Sequence, residues 1–142
     1  LILGRGIEEN NLKQYVKNNN LTKIVKIKNF VDNPYPLIKK TDLFILSSKY
    51  EGLPNVLLEA LTLNKFVISS NCPTGPKEIL LNGKGGLFFK VGDHIDLSKK
   101  IIYYLENKSK SKKMLKISKN NLNKFDYVSN LNKYYKLAKA KI

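Results

Sequence analysis

Apolar and polar positions along this chain fall into blocks that switch between the strand and helix periods. Leu1-Ile-Leu followed by Gly4-Arg-Gly6 reads as a buried strand ending in a tight turn. Ile7, Leu12, Tyr15 and Val16 then recur at near-helical spacing among polar neighbours. Between Lys23 and Lys28 the apolar Ile24, Val25 and Ile27 alternate with lysines, which predicts a short strand. Asn33-Pro34-Tyr35-Pro36 breaks the chain ahead of a short helix around Leu37 to Lys40. Leu43-Phe-Ile-Leu46 is a continuous apolar run of strand length, the sort buried on both faces of a parallel sheet. Pro54 opens a helix through about Leu63, with Val56, Leu57, Ala60 and Leu61 as its apolar face. Phe66-Val-Ile-Ser69 predicts a fourth strand, and Gly75-Pro76 opens a short helix to Leu81. Gly83, Gly85 and Gly86 punctuate the chain before a fifth strand at Leu87-Phe-Phe89.

Asp93 is placed to cap a helix whose stripe is Leu97, Ile101, Ile102 and Leu105. Helical stretches follow at roughly 110–125 and 127–140, the second aligning Val128, Leu131, Tyr135 and Ala138. The patch Lys108-Ser-Lys-Ser-Lys-Lys113 reads as a solvated linker between helices. Strand and helix alternating in this way predict an α/β fold. Its Rossmann-like parallel sheet is flanked by helices, with extra helices at the C-terminal end. Function is then expected at the carboxyl ends of the strands.

A length of 142 residues suits one domain, and 42% apolar residues are enough to bury a core. No apolar run reaches even half of the ~20 residues needed to span a bilayer, and no signal peptide is expected in the first residues. Cys72 is the only cysteine, which fits a reducing, cytoplasmic setting. With His94 the only histidine, a zinc site of Cys and His ligands is excluded, and no metal is expected. The opening strand, without Met, reads as mid-sheet, so the chain is expected to be a C-terminal fragment.

The net charge of +15 is uneven: residues 99–142 carry 13 lysines against Glu106 and Asp126. A basic tail of this kind suits a polyanion or an anionic membrane surface. Arg5 is the only arginine, so the forked contacts of specific nucleic-acid readers are missing. Drift in an AT-rich genome is the competing explanation of the lysine surplus.

The most specific segment is Ser47-Ser-Lys-Tyr-Glu51-Gly-Leu-Pro-Asn-Val-Leu-Leu-Glu59-Ala. It leaves a strand, turns at Gly52 and enters a helix at Pro54, which directs the backbone N–H groups of Asn55 and Val56 at an incoming anion. Glu59 sits about one turn beyond Asn55 on the same face, and Glu51 lies just before the turn. Both carboxylates are expected to look into one mouth. A carboxylate pair beside an anion hole makes sense if the phosphate carries sugars, because a carboxylate accepts hydrogen bonds from neighbouring hydroxyls. Alternatively, Glu59 is an acid favoured by the helix dipole and nothing more.

The pair Glu51 and Glu59, with seven residues between them in the run EGLPNVLLEA, resembles the signature of glycosyltransferase family 4, which has the GT-B fold. The likeness extends to Leu1-Ile-Leu-Gly-Arg-Gly, Val31-Asp-Asn-Pro-Tyr35 and Thr41-Asp-Leu-Phe-Ile-Leu-Ser-Ser48. After the signature it continues through Cys72-Pro-Thr-Gly-Pro-Lys-Glu-Ile79, Asn82-Gly83 and Gly86 to Val91-Gly-Asp93. The resemblance implies that Glu59 holds the ribose hydroxyls of a nucleotide sugar and that Glu51 acts at the donor sugar as the catalytic contact. It further implies that the amides around Leu53 to Val56, chiefly Asn55 and Val56, hold the diphosphate, that Gly52 and Pro54 belong to the donor-binding turn, and that Asn29, Phe30 and Val31 flank the base. The family's Gly-Arg-Leu…Glu-Lys-Gly segment and its N-terminal acceptor domain are expected to lie upstream of Leu1, and Arg5 stands where the family has an acidic or neutral residue.

On this resemblance, residues 1–107 are expected to bind a nucleotide sugar, with the basic helices of 108–142 packed on the same domain. The implied reaction is metal-independent transfer, with retention, of a hexosyl or N-acetylhexosaminyl group. The donor is expected to be UDP-linked and the acceptor a glycan or lipid-linked molecule. The setting is cytoplasmic or peripheral on the cytoplasmic face of the membrane, and the fragment is expected to be inactive alone. Two rivals stay open: a basic polyanion- or membrane-binding module without catalysis, and a nucleotide-sugar epimerase or synthase sharing this domain. Lys77 and Glu78, after Gly75, are expected as donor or acceptor contacts or equally as surface helix residues, and Lys49 as a phosphate contact or a solvated loop lysine. Cys72 is expected as a buried filler, His94 as a surface residue, and Tyr103, Tyr104, Tyr134 and Tyr135 as packing residues.

Overall fold

The computed structural model describes residues 1–140, so Lys141 and Ile142 of the expected C-terminal segment lie outside the described residues. The chain divides into two units, Leu1–Pro34 and Tyr35–Ile142. In the first, strand β1 (Ile2–Leu3) pairs in parallel with β2 (Ile27–Lys28) across helix α1 (Glu9–Asn18). Within α1, Lys13 bridges Glu9 one turn back at 2.5 Å, and Val16 is its buried residue. The strand expected over residues 23–28 is confined to Ile27–Lys28. Its first half is instead a turn, in which the amides of Ile24 and Val25 both donate to the Leu21 carbonyl.

The second unit holds α2 (Tyr35–Lys39), β3 (Leu43–Leu46), α3 (Asn55–Thr62), β4 (Phe66–Ser70), α4 (Gly75–Ile79) and β5 (Leu87–Phe89). They are followed by α5 (His94–Glu106), α6 (Lys108–Asn120), a 3₁₀ turn (Leu122–Phe125) and α7 (Tyr127–Lys139). Its three strands are parallel in the order β3-β4-β5, so β4 is central. The expectation that Leu43–Leu46 is buried on both faces is corrected: β3 is an edge of this sheet and Ile45 is exposed, whereas all five β4 residues are buried. Alternation along β4 serves two cores. Val67 joins Ile38, Leu57, Ala60, Leu61, Ile79 and Leu80, while Phe66 and Ile68 join Phe89 and Tyr104.

Tyr104 is a packing residue, stacked on Phe66 at 5.2 Å between ring centroids, with its hydroxyl donating to the Asp42 carbonyl at 2.6 Å. Asp93 caps α5 by accepting from the Asp96 amide at 2.8 Å, and that bond holds its carboxyl below the ordinary carboxylate value. The patch Lys108–Lys113 is not a linker but the first half of α6. Ser111, Leu115 and Ser118 repeat at helical spacing, and both serines are buried. Their small side chains let the helix approach closely. Ser118 Oγ donates to the Gly85 carbonyl at 2.6 Å, and a Cβ on Gly85 would stand 1.8 Å from the Ser118 Oγ. The composition pointed to solvent while the spacing carried the helix.

The stretch expected as one helix over 110–125 is broken at Asn121 into α6 and the 3₁₀ turn. α7 has no buried residue, so Tyr134 and Tyr135, expected to pack, are exposed instead. Tyr103 is half-buried and lies beneath the ammonium of Lys110.

Candidate functional site

The site segment runs from the carboxyl end of β3 into α3. Ser48 follows the strand, and its hydroxyl donates to Glu51 Oε1 at 2.6 Å. The turn at Gly52 is gripped from α4: the Gly75 amide donates to the Gly52 carbonyl at 2.9 Å, and the Thr74 hydroxyl lies within hydrogen-bond reach of the Glu51 carbonyl. A Cβ on Gly75 would meet the Gly52 oxygen at 1.8 Å and Pro54 Cδ at 2.6 Å, so glycine is what permits this approach. Pro54 is buried and stands at the N-cap with extended backbone; Leu57 is the first residue whose amide returns to it, at 2.9 Å. No side chain caps α3 and its first turn holds no acid. The helix therefore presents its N-terminal amides, at the positive end of its dipole, without a built-in anion.

Leu53, Asn55 and Val56 around this helix end are exposed. Glu59, one turn further on, is half-buried and lines a cavity of about 370 Å³ with Tyr35, Leu58, Thr62 and Leu63. Gly75, Lys77 and Glu78 are brought together with Thr74, Leu81, Asn82 and Lys124 around a cavity of about 540 Å³. Lys124 was not among the expected site residues; it bridges Glu78 at 2.8 Å. Lys49 is exposed on the loop before Glu51, Cys72 is fully buried and His94 is exposed. Asn29, Phe30 and Val31 belong to the first unit. There Asn29, with its amide nitrogen turned to Glu9, donates to the two carboxylate oxygens at 2.9 and 3.1 Å, and Phe30 is exposed.

Ser48, Ser70 and Thr74 also surround the Glu51 turn, beyond the residues expected there. A signal for Ser48 existed, since a serine three residues ahead of a glutamate is a spacing at which short polar side chains bond locally. Ser70 and Thr74 reach the site across 22 and 23 residues, which local spacing does not encode. Chemically, the segment offers N–H donors to an anion and two carboxylates as acceptors for hydroxyl groups. Among the described residues no group of three or more His, Cys, Asp or Glu converges as a metal site.

Comparison with known proteins adds to this geometry. The chain is 44% identical over 80 residues to an uncharacterized glycosyltransferase of Methanocaldococcus jannaschii, a match covering 56% of this chain and 20% of that protein. It is 28% identical over 128 residues to the N-acetylgalactosamine-N,N'-diacetylbacillosaminyl-diphospho-undecaprenol 4-alpha-N-acetylgalactosaminyltransferase of Campylobacter jejuni, covering 90% of this chain and 35% of that one. The chain thus spans about a fifth to a third of the length of these relatives. In fold it is similar to the crystal structure of Anabaena HepE in complex with UDP. The TM-score is 0.81 at 20% identity, over 99% of this chain and 40% of that one. The fold is thus that of GT-B glycosyltransferases, with parallel sheets flanked by helices. The family model for glycosyl transferases group 1 matches residues 1–124, the Glu51–Glu59 segment included, and the chain belongs to that family.

Proposed function

We propose that this chain is the donor-binding part of a retaining glycosyltransferase of family 4, which moves a hexosyl or N-acetylhexosaminyl group from a UDP-sugar without a metal. The acceptor is a glycan or a lipid-linked saccharide at the cytoplasmic face of the membrane. The single observation that carries this reading is the uncapped N-terminus of α3, flanked by Glu51 in the preceding turn and Glu59 one turn in. In this reading the amides around Asn55 and Val56 hold the diphosphate, Glu59 accepts from ribose hydroxyls, and Glu51 meets the donor sugar. The relatives support it in kind: the Campylobacter jejuni protein is named for transfer to a diphospho-undecaprenol-linked sugar, and the Anabaena structure holds UDP.

The test is calorimetric titration of the whole enzyme with UDP and with uridine. UDP should bind and uridine should bind far more weakly, because the diphosphate supplies the contact with the helix end. Glu59→Ala should weaken UDP by a factor of about ten to a hundred, the ~1.5–3 kcal/mol of hydrogen bonding to a charged group. Equal affinity for UDP and uridine would remove the diphosphate from the reading.

A second partner is an anionic membrane surface, favoured by α7. Tyr127, Val128, Leu131, Tyr134 and Tyr135 are each more than half exposed, and residues 127–140 carry lysines and no acid. Among the described residues no helix is long and apolar enough to cross a membrane. Binding to vesicles should rise with phosphatidylserine content and fall steeply with salt. Equal sedimentation with neutral and anionic vesicles would return the lysines to compositional drift.

A further inference from the structure

We propose that Ser48 and Thr74 are positioning residues that fix the Glu51 carboxylate for sugar transfer, an inference that rests on the donor-site reading above. A glutamate on a loop has several rotamers, and a carboxylate that acts on a reacting centre must be held in one of them. Ser48 supplies the hold at the carboxylate itself, through a bond of 2.6 Å from its hydroxyl to Oε1. That length is in the range of charge-assisted O–H···O bonds. The bond takes one oxygen and so settles where Oε2 lies.

Ser48 is itself anchored. The hydroxyl of Ser70, fully buried at the end of the central strand β4, donates to the Ser48 carbonyl at 2.5 Å. Ser70 is also in register with Phe89 of β5, so the carboxylate is tied through two hydroxyls to the middle of the sheet.

The backbone of Glu51 is held separately. Thr74 has φ 70° and ψ −128°, a region that β-branched residues rarely adopt. In that conformation its hydroxyl reaches the Glu51 carbonyl and also the Pro73 carbonyl at 2.7 Å, and its single proton serves one of them at a time. A strained backbone at the point where a side chain grips a candidate catalytic turn is where strain has a use. Gly75 continues the grip through its amide on the Gly52 carbonyl. Side chain and main chain of Glu51 are thus fixed by different elements, β4 through Ser48 and the start of α4 through Thr74.

The test is a double-mutant cycle in the whole enzyme, with UDP release from UDP-glucose, UDP-galactose and their N-acetylhexosamine counterparts as the readout. Ser48→Ala should lower kcat about tenfold or more, since a misplacement of ~1 Å at a reacting centre can cost a hundredfold. KM, UDP affinity and Tm should change little, and Ser48→Thr should restore most of the rate. In a Glu51→Ala background Ser48→Ala should have no further effect, because the hydroxyl acts through the carboxylate. Thr74→Gly should lower kcat while Tm stays level or rises, since glycine relieves the backbone and removes the hydroxyl. Full activity of Ser48→Ala, or the same loss in both backgrounds, would overturn the proposal, as would an unimpaired Thr74→Gly. A Glu51→Ala enzyme that transfers normally would instead overturn the role of Glu51 in the donor-site reading.

Discussion

Glu51→Ala in the whole enzyme should lower sugar transfer by about a hundredfold while leaving UDP affinity within about twofold, because in the proposed function its contact strengthens as the sugar–phosphate bond breaks. An interaction made only in the transition state lowers kcat and kcat/KM together. The hydroxyl of Ser48 already holds this carboxylate, so the substitution deletes a placed group rather than a wandering one. Steady-state rates with UDP-sugars, UDP titration and Tm on the same preparation check it. A fall in UDP affinity equal to the fall in turnover would make Glu51 a ground-state contact.

The second large effect is expected at Gly75, where α4 and the Gly52 turn meet. A methyl group here collides with backbone at 1.8 Å, and backbone does not rotate aside as a flexible side chain does. Overpacking of this kind costs about 1–3 kcal/mol or more. Gly75→Val should therefore lower Tm by several degrees, at roughly 2–8 °C per kcal/mol for domains of this size range. It should also reduce transfer, since the turn that carries Glu51 must move. Thermal melts and transfer rates of Gly75→Ala and Gly75→Val check both parts. A Gly75→Val enzyme that melts and transfers like the parent would show that the close approach is dispensable.

How legible was this in the sequence? The α3 segment largely was: Gly52 and Pro54 are where the pattern placed a turn and a helix start, and of the expected face Leu57, Ala60 and Leu61 are buried while Val56, in the first turn, is exposed. The cap at Asp93 and the burial of Cys72 followed from local chemistry as well. What stayed hidden depends on contacts distant in the chain. Leu43–Leu46 and Phe66–Ser69 are both apolar runs, and the order of strands decides which is central. The lysine–serine patch has the composition of a solvated linker, yet it is helical because Ser111 and Ser118, seven residues apart, share one buried face. α7 carries an apolar stripe that pattern reading sends to a core, yet the stripe is exposed. Two supports of the Glu51 turn were hidden for the same reason: Ser70 and Thr74 arrive from other elements, and the φ of Thr74 has no signature in a residue type that avoids it.

The central claim is that the N-terminus of α3 holds the diphosphate of a nucleotide sugar between Glu51 and Glu59. A crystal structure of the whole enzyme soaked with UDP tests it most directly. The diphosphate oxygens should lie within hydrogen-bond distance of the amides of Asn55 or Val56, with the ribose hydroxyls on the Glu59 carboxylate. UDP bound elsewhere, with that helix end left to solvent, would contradict it.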